Sequence, residues 1–169
     1  MSNINSSSTN SLNKDSIKQK SKSHPFWRWF WLSFLVLSLA YAWYSFYVPS
    51  NQVVWADNRE TAQKMALESG KNQMYFFTGD WCVPCRIMKR EIFADQEAMK
   101  VINSQIVPLM IDVDDPNAKD LIQQYNIGAT PITLFTNPHG EVLDYAVGKI
   151  SKEEFLDMIA NLNGANSNL

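Results

Sequence analysis

The spacing of apolar and polar positions divides the chain into a polar lead, an apolar span and a patterned remainder. Residues 1–25 are rich in Ser, Asn and Lys and hold almost no large apolar side chain. Such a segment cannot bury enough surface to offset the entropy of ordering it, which predicts a disordered tail. From Trp29 to Val48 no charge interrupts the run WFWLSFLVLSLAYAWYSFYV. As a helix rising about 1.5 Å per residue, the run is about 30 Å long, the thickness of bilayer hydrocarbon. Trp27, Trp29 and Trp31 at one end and Trp43, Tyr44 and Tyr47 at the other suit the two interfacial aromatic belts. A transmembrane helix over residues 26–48 is therefore predicted, with 49–52 as a short linker. A buried core helix is the alternative, but a uniformly apolar run after a polar tail favours the membrane.

The remainder alternates between strand and helix patterns. Val53–Trp55 reads as a short strand. Asp57 with Glu60 fits a capping box, after which Ala62, Met65, Ala66 and Ser69 share one helical face until Gly70 stops it. Met74–Thr78 is apolar enough for a strand buried on both faces, and a second helix starts at about Cys82 and leads toward Ile92–Phe93. Asp95 caps a further helix. Ile106–Val113 is the next strand, with Pro108 pointing to an edge or an irregular start. A helix over 117–125 follows, then strands at 132–136 and 141–147 joined by the turn Asn137-Pro138-His139-Gly140. Ser151 and Glu154 open a final helix, and the Asn-rich stretch from Asn161 is expected to fray. This order predicts an α/β domain over residues 53–162, a mixed central sheet with helices on both faces, with 163–169 as a flexible C-terminal tail.

Charge sets orientation. Lys14, Lys18, Lys20, Lys22 and Arg28 precede the span against Asp15 alone, whereas the first cation after it is Arg59. The positive-inside rule puts the N-terminus in the cytoplasm and the domain outside. Ala40-Tyr41-Ala42 resembles a signal-peptidase site, but the apolar run continues to Val48, which favours an uncleaved anchor. The net charge of -2, with no basic run in the outer domain, argues against nucleic acid as a partner.

The chain has 2 cysteines, Cys82 and Cys85, three apart at a strand-to-helix junction. Two small apolar thiols in a core would be the ordinary reading. The strand-like lead, the Gly79-Asp80 break and the amphipathic exit instead predict a pair that closes and reopens a disulfide. A loop this short constrains the unfolded chain too little to be worth much as a structural bridge. A helix starting at Cys82 would stabilise its thiolate through unpaired N–H groups and the positive dipole end. Zinc usually takes four ligands, and only His24 and His139 could add imidazole, so no metal is expected.

Trp81-Cys82-Val83-Pro84-Cys85 at a helix start, with Thr130-Pro131 ahead of a strand, resembles the thioredoxin superfamily. Within it, Phe-Thr-Gly-Asp-Trp-Cys-Val-Pro-Cys followed by Ile92-Phe93-Ala94-Asp95 is similar to the C-terminal domain of DsbD-type thiol:disulfide reductases. The resemblance implies a thioredoxin-like fold in which Cys82 is the exposed nucleophile and Cys85 the buried resolving thiol. Trp81 would shape the surface beside them, and a cis Pro131 would let the Thr130 backbone meet an extended substrate strand. It also implies no cofactor beyond the Cys82–Cys85 disulfide. The expected place of work is the bacterial inner membrane, with the domain in the periplasm.

Two departures stand out. The buried Asp that thioredoxins commonly carry beneath the pair falls at Phe76, and the Lys often paired with it falls at Met110. Asp80 could move a proton only through a water, and its simpler role is to end the strand and cap the helix. Arg86 and Lys89 either lower a cysteine pKa or decorate a solvated helix face.

The resulting expectation is thiol–disulfide exchange, and the resemblance to DsbD implies reduction of protein disulfides such as those of apocytochrome c or oxidised periplasmic proteins. The helix over 26–48 has no cysteine, so a separate thiol protein would have to donate the electrons. An oxidase or isomerase of the same fold, or a tethered peptide-binding module, is the rival.

Overall fold

The computed structural model describes residues 25–166; the expected tail over 1–25, apart from Pro25, lies outside the described residues, as do 167–169. It divides into two compact units, up to Ser45 and from Phe46 onward. The first contains most of α1 (Pro25–Phe46), a helix long and apolar enough to cross a membrane. Trp27 packs on Phe30 and Trp31, and Trp31 on Phe34, at the three- and four-residue spacings that adjoin on a helix.

The second unit holds α2 (Arg59–Ser69), β1 (Asn72–Thr78), α3 (Val83–Glu91), α4 (Gln96–Gln105), β2 (Ile106–Asp112), α5 (Lys119–Gln124), β3 (Ile132–Thr136), β4 (Val142–Val147) and α6 (Lys152–Asn166). The sheet order is β2-β1-β3-β4, with β1 parallel to β2 and antiparallel to β3, and β3 antiparallel to β4. This is the mixed sheet of a thioredoxin-like α/β fold.

Every residue of β1 is buried because both sheet faces are covered. Side chains alternate across a strand, so Met74 and Phe76 enter one core and Tyr75 and Phe77 the other. The first core is closed by Met88 of α3 and Ile92 just past its end, Ile102 of α4 and Phe155 and Ile159 of α6. Phe93 lies at its centre, edge-on to Trp55, Phe76 and Phe155 with ring centroids at 5.1, 4.8 and 5.8 Å. The second core is closed by Ala62 and Ala66 of α2 and Leu121 of α5.

Pro108 is tolerated because β2 is an edge strand. Its carbonyl turns outward to accept the Ala56 N–H at 2.8 Å, so the side of Pro108 that lacks a donor faces away from β1.

Three local expectations change. Residues 53–55 do not form a strand; only Ala56 makes a single parallel bridge, to Leu109. The reason is side-chain capture: Asn51 Oδ1 accepts the Val53 N–H and the Trp55 indole N–H, and Asn103 Oδ1 accepts the Val54 N–H. The first cap is Asn58, not Asp57, with Asn58 Oδ1 accepting the Thr61 N–H at 2.8 Å. Both residue types cap well, and the extended backbone at Asn58 decides which one does. Finally, α6 continues through Asn166, four residues past the expected domain end at Leu162. Asp95 and Ser151 cap α4 and α6, accepting from Ala98 N–H and Glu154 N–H.

Candidate active site

The site is made where β1 ends and α3 begins. The chain turns at Gly79, whose carbonyl accepts the Cys82 N–H at 3.0 Å. Cys82 is the N-cap of α3: its backbone is extended, and its Sγ accepts the Cys85 N–H at 3.2 Å. Pro84 lies in the first turn, where its missing N–H costs nothing. The two sulfurs are bonded to each other, with Cα atoms 5.3 Å apart. A helix terminus and a directed N–H thus converge on Cys82 Sγ, the arrangement that favours a thiolate once the bond is opened.

The expected exposure of Cys82 is corrected. It is only 2% exposed, and Cys85 is 0%. As N-cap, Cys82 turns its sulfur inward over the first turn, and the residue joins the core cluster with Met74, Phe76 and Met88. Trp81, Val83 and Pro84 take the surface instead, Trp81 being 63% exposed.

The Trp81 indole N–H donates to Asp114 Oδ2 at 2.8 Å, and its ring lies against Gly79, where a Cβ would come within 3.0 Å of Nε1. Asp80 is exposed and does not cap α3, since Cys82 Sγ takes that place. Its backbone carbonyl accepts from Arg86 Nη1 at 2.9 Å. Thr130 is half-buried and Pro131 buried, and the peptide bond between them is cis. Gly128 and Ala129, just before them, are exposed.

Phe76 is fully buried and faces Met110 across the β1–β2 ladder, so an aromatic and a thioether stand where an acid and an amine were sought. Lys89, one turn after Cys85 on α3, is half-buried. Burial pulls its pKa below the ordinary lysine value; Asp80 and Asp112 oppose that, and Arg86 adds to it. Asp114 is not among the residues expected at the site, and nothing local in the sequence signals its bond to an indole 33 residues earlier in the chain.

A disulfide at a helix start, set against a mixed sheet with a buried cis proline ahead of β3, is the arrangement of a thioredoxin-like domain. Residues 59–163 match the family model described as a thioredoxin-like domain, more than half of the chain, and the chain belongs to that family. It is 26% identical over 107 residues to the thiol:disulfide interchange protein DsbD of Actinobacillus pleuropneumoniae, covering 61% of this chain and 18% of that protein. It is 33% identical over 109 residues to a thioredoxin H-type of Oryza sativa subsp. indica, covering 64% of this chain and 83% of the relative. Among solved structures, a thioredoxin from Thermus thermophilus superposes with a TM-score of 0.59 at 21% identity, covering 65% of this chain and 86% of the other. This chain thus spans less than a fifth of the DsbD relative.

Proposed function

We propose that the protein is a membrane-tethered, extracytoplasmic reductase of protein disulfides. The observation that carries this reading is the Cys82–Cys85 bond at the start of α3, with the Cys85 N–H aimed at Cys82 Sγ. In the reduced protein, the Cys82 thiolate attacks a substrate disulfide and forms a mixed disulfide, and one substrate sulfur leaves as thiolate. Cys85 then loses its proton and attacks Cys82 Sγ. The intramolecular bond forms, the second substrate sulfur leaves, and two electrons have passed to the substrate. Returning to the dithiol requires a separate thiol protein as donor.

Tethering rests on the apolar helix α1 and on the lysines that precede it, which favour a cytoplasmic N-terminus. Reduction as the direction of flow rests on the similarity to DsbD. Burial of Cys82 implies selectivity: a partner has to fit the surface around Trp81 and the 128–130 loop before its sulfur reaches the pair.

The test is reduction of insulin by dithiothreitol, catalysed by the full chain in detergent, compared with Cys82→Ser. Catalysis by the wild type alone supports the reading, and equal rates end it. Equilibration with glutathione fixes direction: a potential near that of thioredoxin (about −270 mV) supports a reductase, and one near that of DsbA (about −120 mV) makes it an oxidase.

A further inference from the structure

Lys89 follows Cys85 by four residues, one turn later on the same stripe of α3. Helical side chains lean toward the N-terminus, so a long one covers the turn before its own Cα. For Lys89 that turn contains Cys85. The side chain is half-buried, and Cys85, Met88 and Ile92 beside it are fully buried. Its ammonium lies within the fields of Asp80, in the turn before Cys82, and of Asp112, the last residue of β2. Both carboxylates stand at the cysteine end of α3: Asp80 is two residues before Cys82, and Asp112 pairs with Thr78, the last residue of β1.

The charged groups facing it are therefore Asp80 from the β1–α3 turn, Asp112 from β2 and Arg86 from α3 itself. The two carboxylates oppose the lowering that burial and Arg86 impose on the amine. At the ladder position where an acid and an amine were expected, β1 carries Phe76 and β2 Met110. When the disulfide opens, the thiol at Cys85 is a buried sulfur with Met88 and the cation Lys89 on the next turn of α3.

We propose that Lys89 is a positioning residue of the redox centre, its ammonium folded back along α3 to stabilise the Cys85 thiolate that resolves the mixed disulfide. This rests on the reductase reading above. The Cys85 proton leaves to solvent, the sulfur attacks Cys82, and the positive charge favours the anion that performs the attack. An opposite charge within about 4–6 Å of an acidic group lowers its pKa by about one unit or more. Below the thiol pKa, that is about tenfold in the population of the reactive form.

The experiment uses the full chain, reduced, in detergent, mixed with a chromogenic aromatic disulfide. Cys82 attack releases one coloured thiolate and Cys85 attack the second, so the two phases report the two sulfurs separately. In Lys89→Gln the second release is expected to slow about tenfold at pH 7, with its pH profile displaced to the alkaline side and the first release unchanged. Lys89→Arg should restore the wild-type profile. An unaltered second phase in Lys89→Gln overturns the proposal, as does a joint shift of both phases or an Arg variant as slow as the Gln one. If the wild type releases no second thiolate, the reductase reading falls and this proposal with it; a wild type that releases both while Lys89→Gln is unchanged removes only Lys89.

Discussion

The indole of Trp81 is tied to the carboxylate of Asp114 by a 2.8 Å hydrogen bond, although most of its ring is exposed. Gly79 lies under the ring, and no side chain could be added there without pushing it outward. The largest aromatic surface beside the disulfide is thus held in one orientation by a residue from the loop after β2. Removing the acceptor should loosen the indole without disturbing the core. Asp114→Ala is expected to raise KM for insulin about two- to fivefold while kcat changes little, because only the docking surface is altered. Stability should stay within about 0.5 kcal/mol, as for other surface substitutions. A KM equal to that of the wild type would show that the Trp81 orientation does not matter for substrate.

Legibility in the sequence followed the range of the interaction. The burial of β1 on both faces could be read from Met74–Phe77, and the helix starts at Asp95 and Ser151 from cap chemistry, because those signals lie within four residues of each other. The redox pair was legible for the same reason. What could not be read depended on distant partners. The 53–55 strand fails because Asn103, 49 residues from Val54, takes its N–H. Cys82 is buried because remote segments such as Val53 and Ile150 join the cluster around it, and depth of burial leaves no mark in a four-residue motif. Asp114 was overlooked because an Asp-Asp-Pro stretch is a sufficient turn on its own.

Asp95 caps α4 and ties it to α6. It accepts from the N–H groups of Glu97 and Ala98 and pairs with Lys152 of α6 at 3.5 Å. The Ala98 N–H, and after it the nearby Lys152, hold the carboxyl below the usual carboxylate range, against a smaller opposing effect of burial. A carboxyl depressed on folding contributes stability that is present above its unfolded pKa, about 3.9, and is lost as pH falls through the lower folded value. Asp95→Ala is therefore expected to cost about 1 kcal/mol at pH 7, the usual worth of such a cap. Urea unfolding at pH 7 and again near pH 3 checks the sign: the gap between wild type and variant should narrow in acid. A gap that stays constant or widens would show that the charged form is not what the cap uses.

Tyr75 gives the opposite pH signature. It is 2% exposed, its hydroxyl donates to Gln73 Oε1 at 2.9 Å, and its ring lies 5.7 Å from that of Tyr125. Burial first, and then Tyr125, pushes the phenol from its ordinary 10 to about 12, with Arg59 opposing. A raised phenol contributes stability that is complete below the unfolded value and is lost as pH climbs toward the folded one, so the window is pH 10–12. At pH 11 a two-unit shift removes about 1.4 kcal/mol of what is present at pH 8. Tyr75→Phe leaves the Gln73 carbonyl unpaired and should be less stable at pH 8 by about 1–3 kcal/mol. It has no phenol to ionise there, so its further loss between pH 8 and pH 11 should be smaller than that of the wild type by about 1.4 kcal/mol. Lysine deprotonation acts on both proteins and cancels in the difference. Parallel alkaline losses in the two proteins would mean that the Tyr75 hydroxyl reaches water before the domain unfolds.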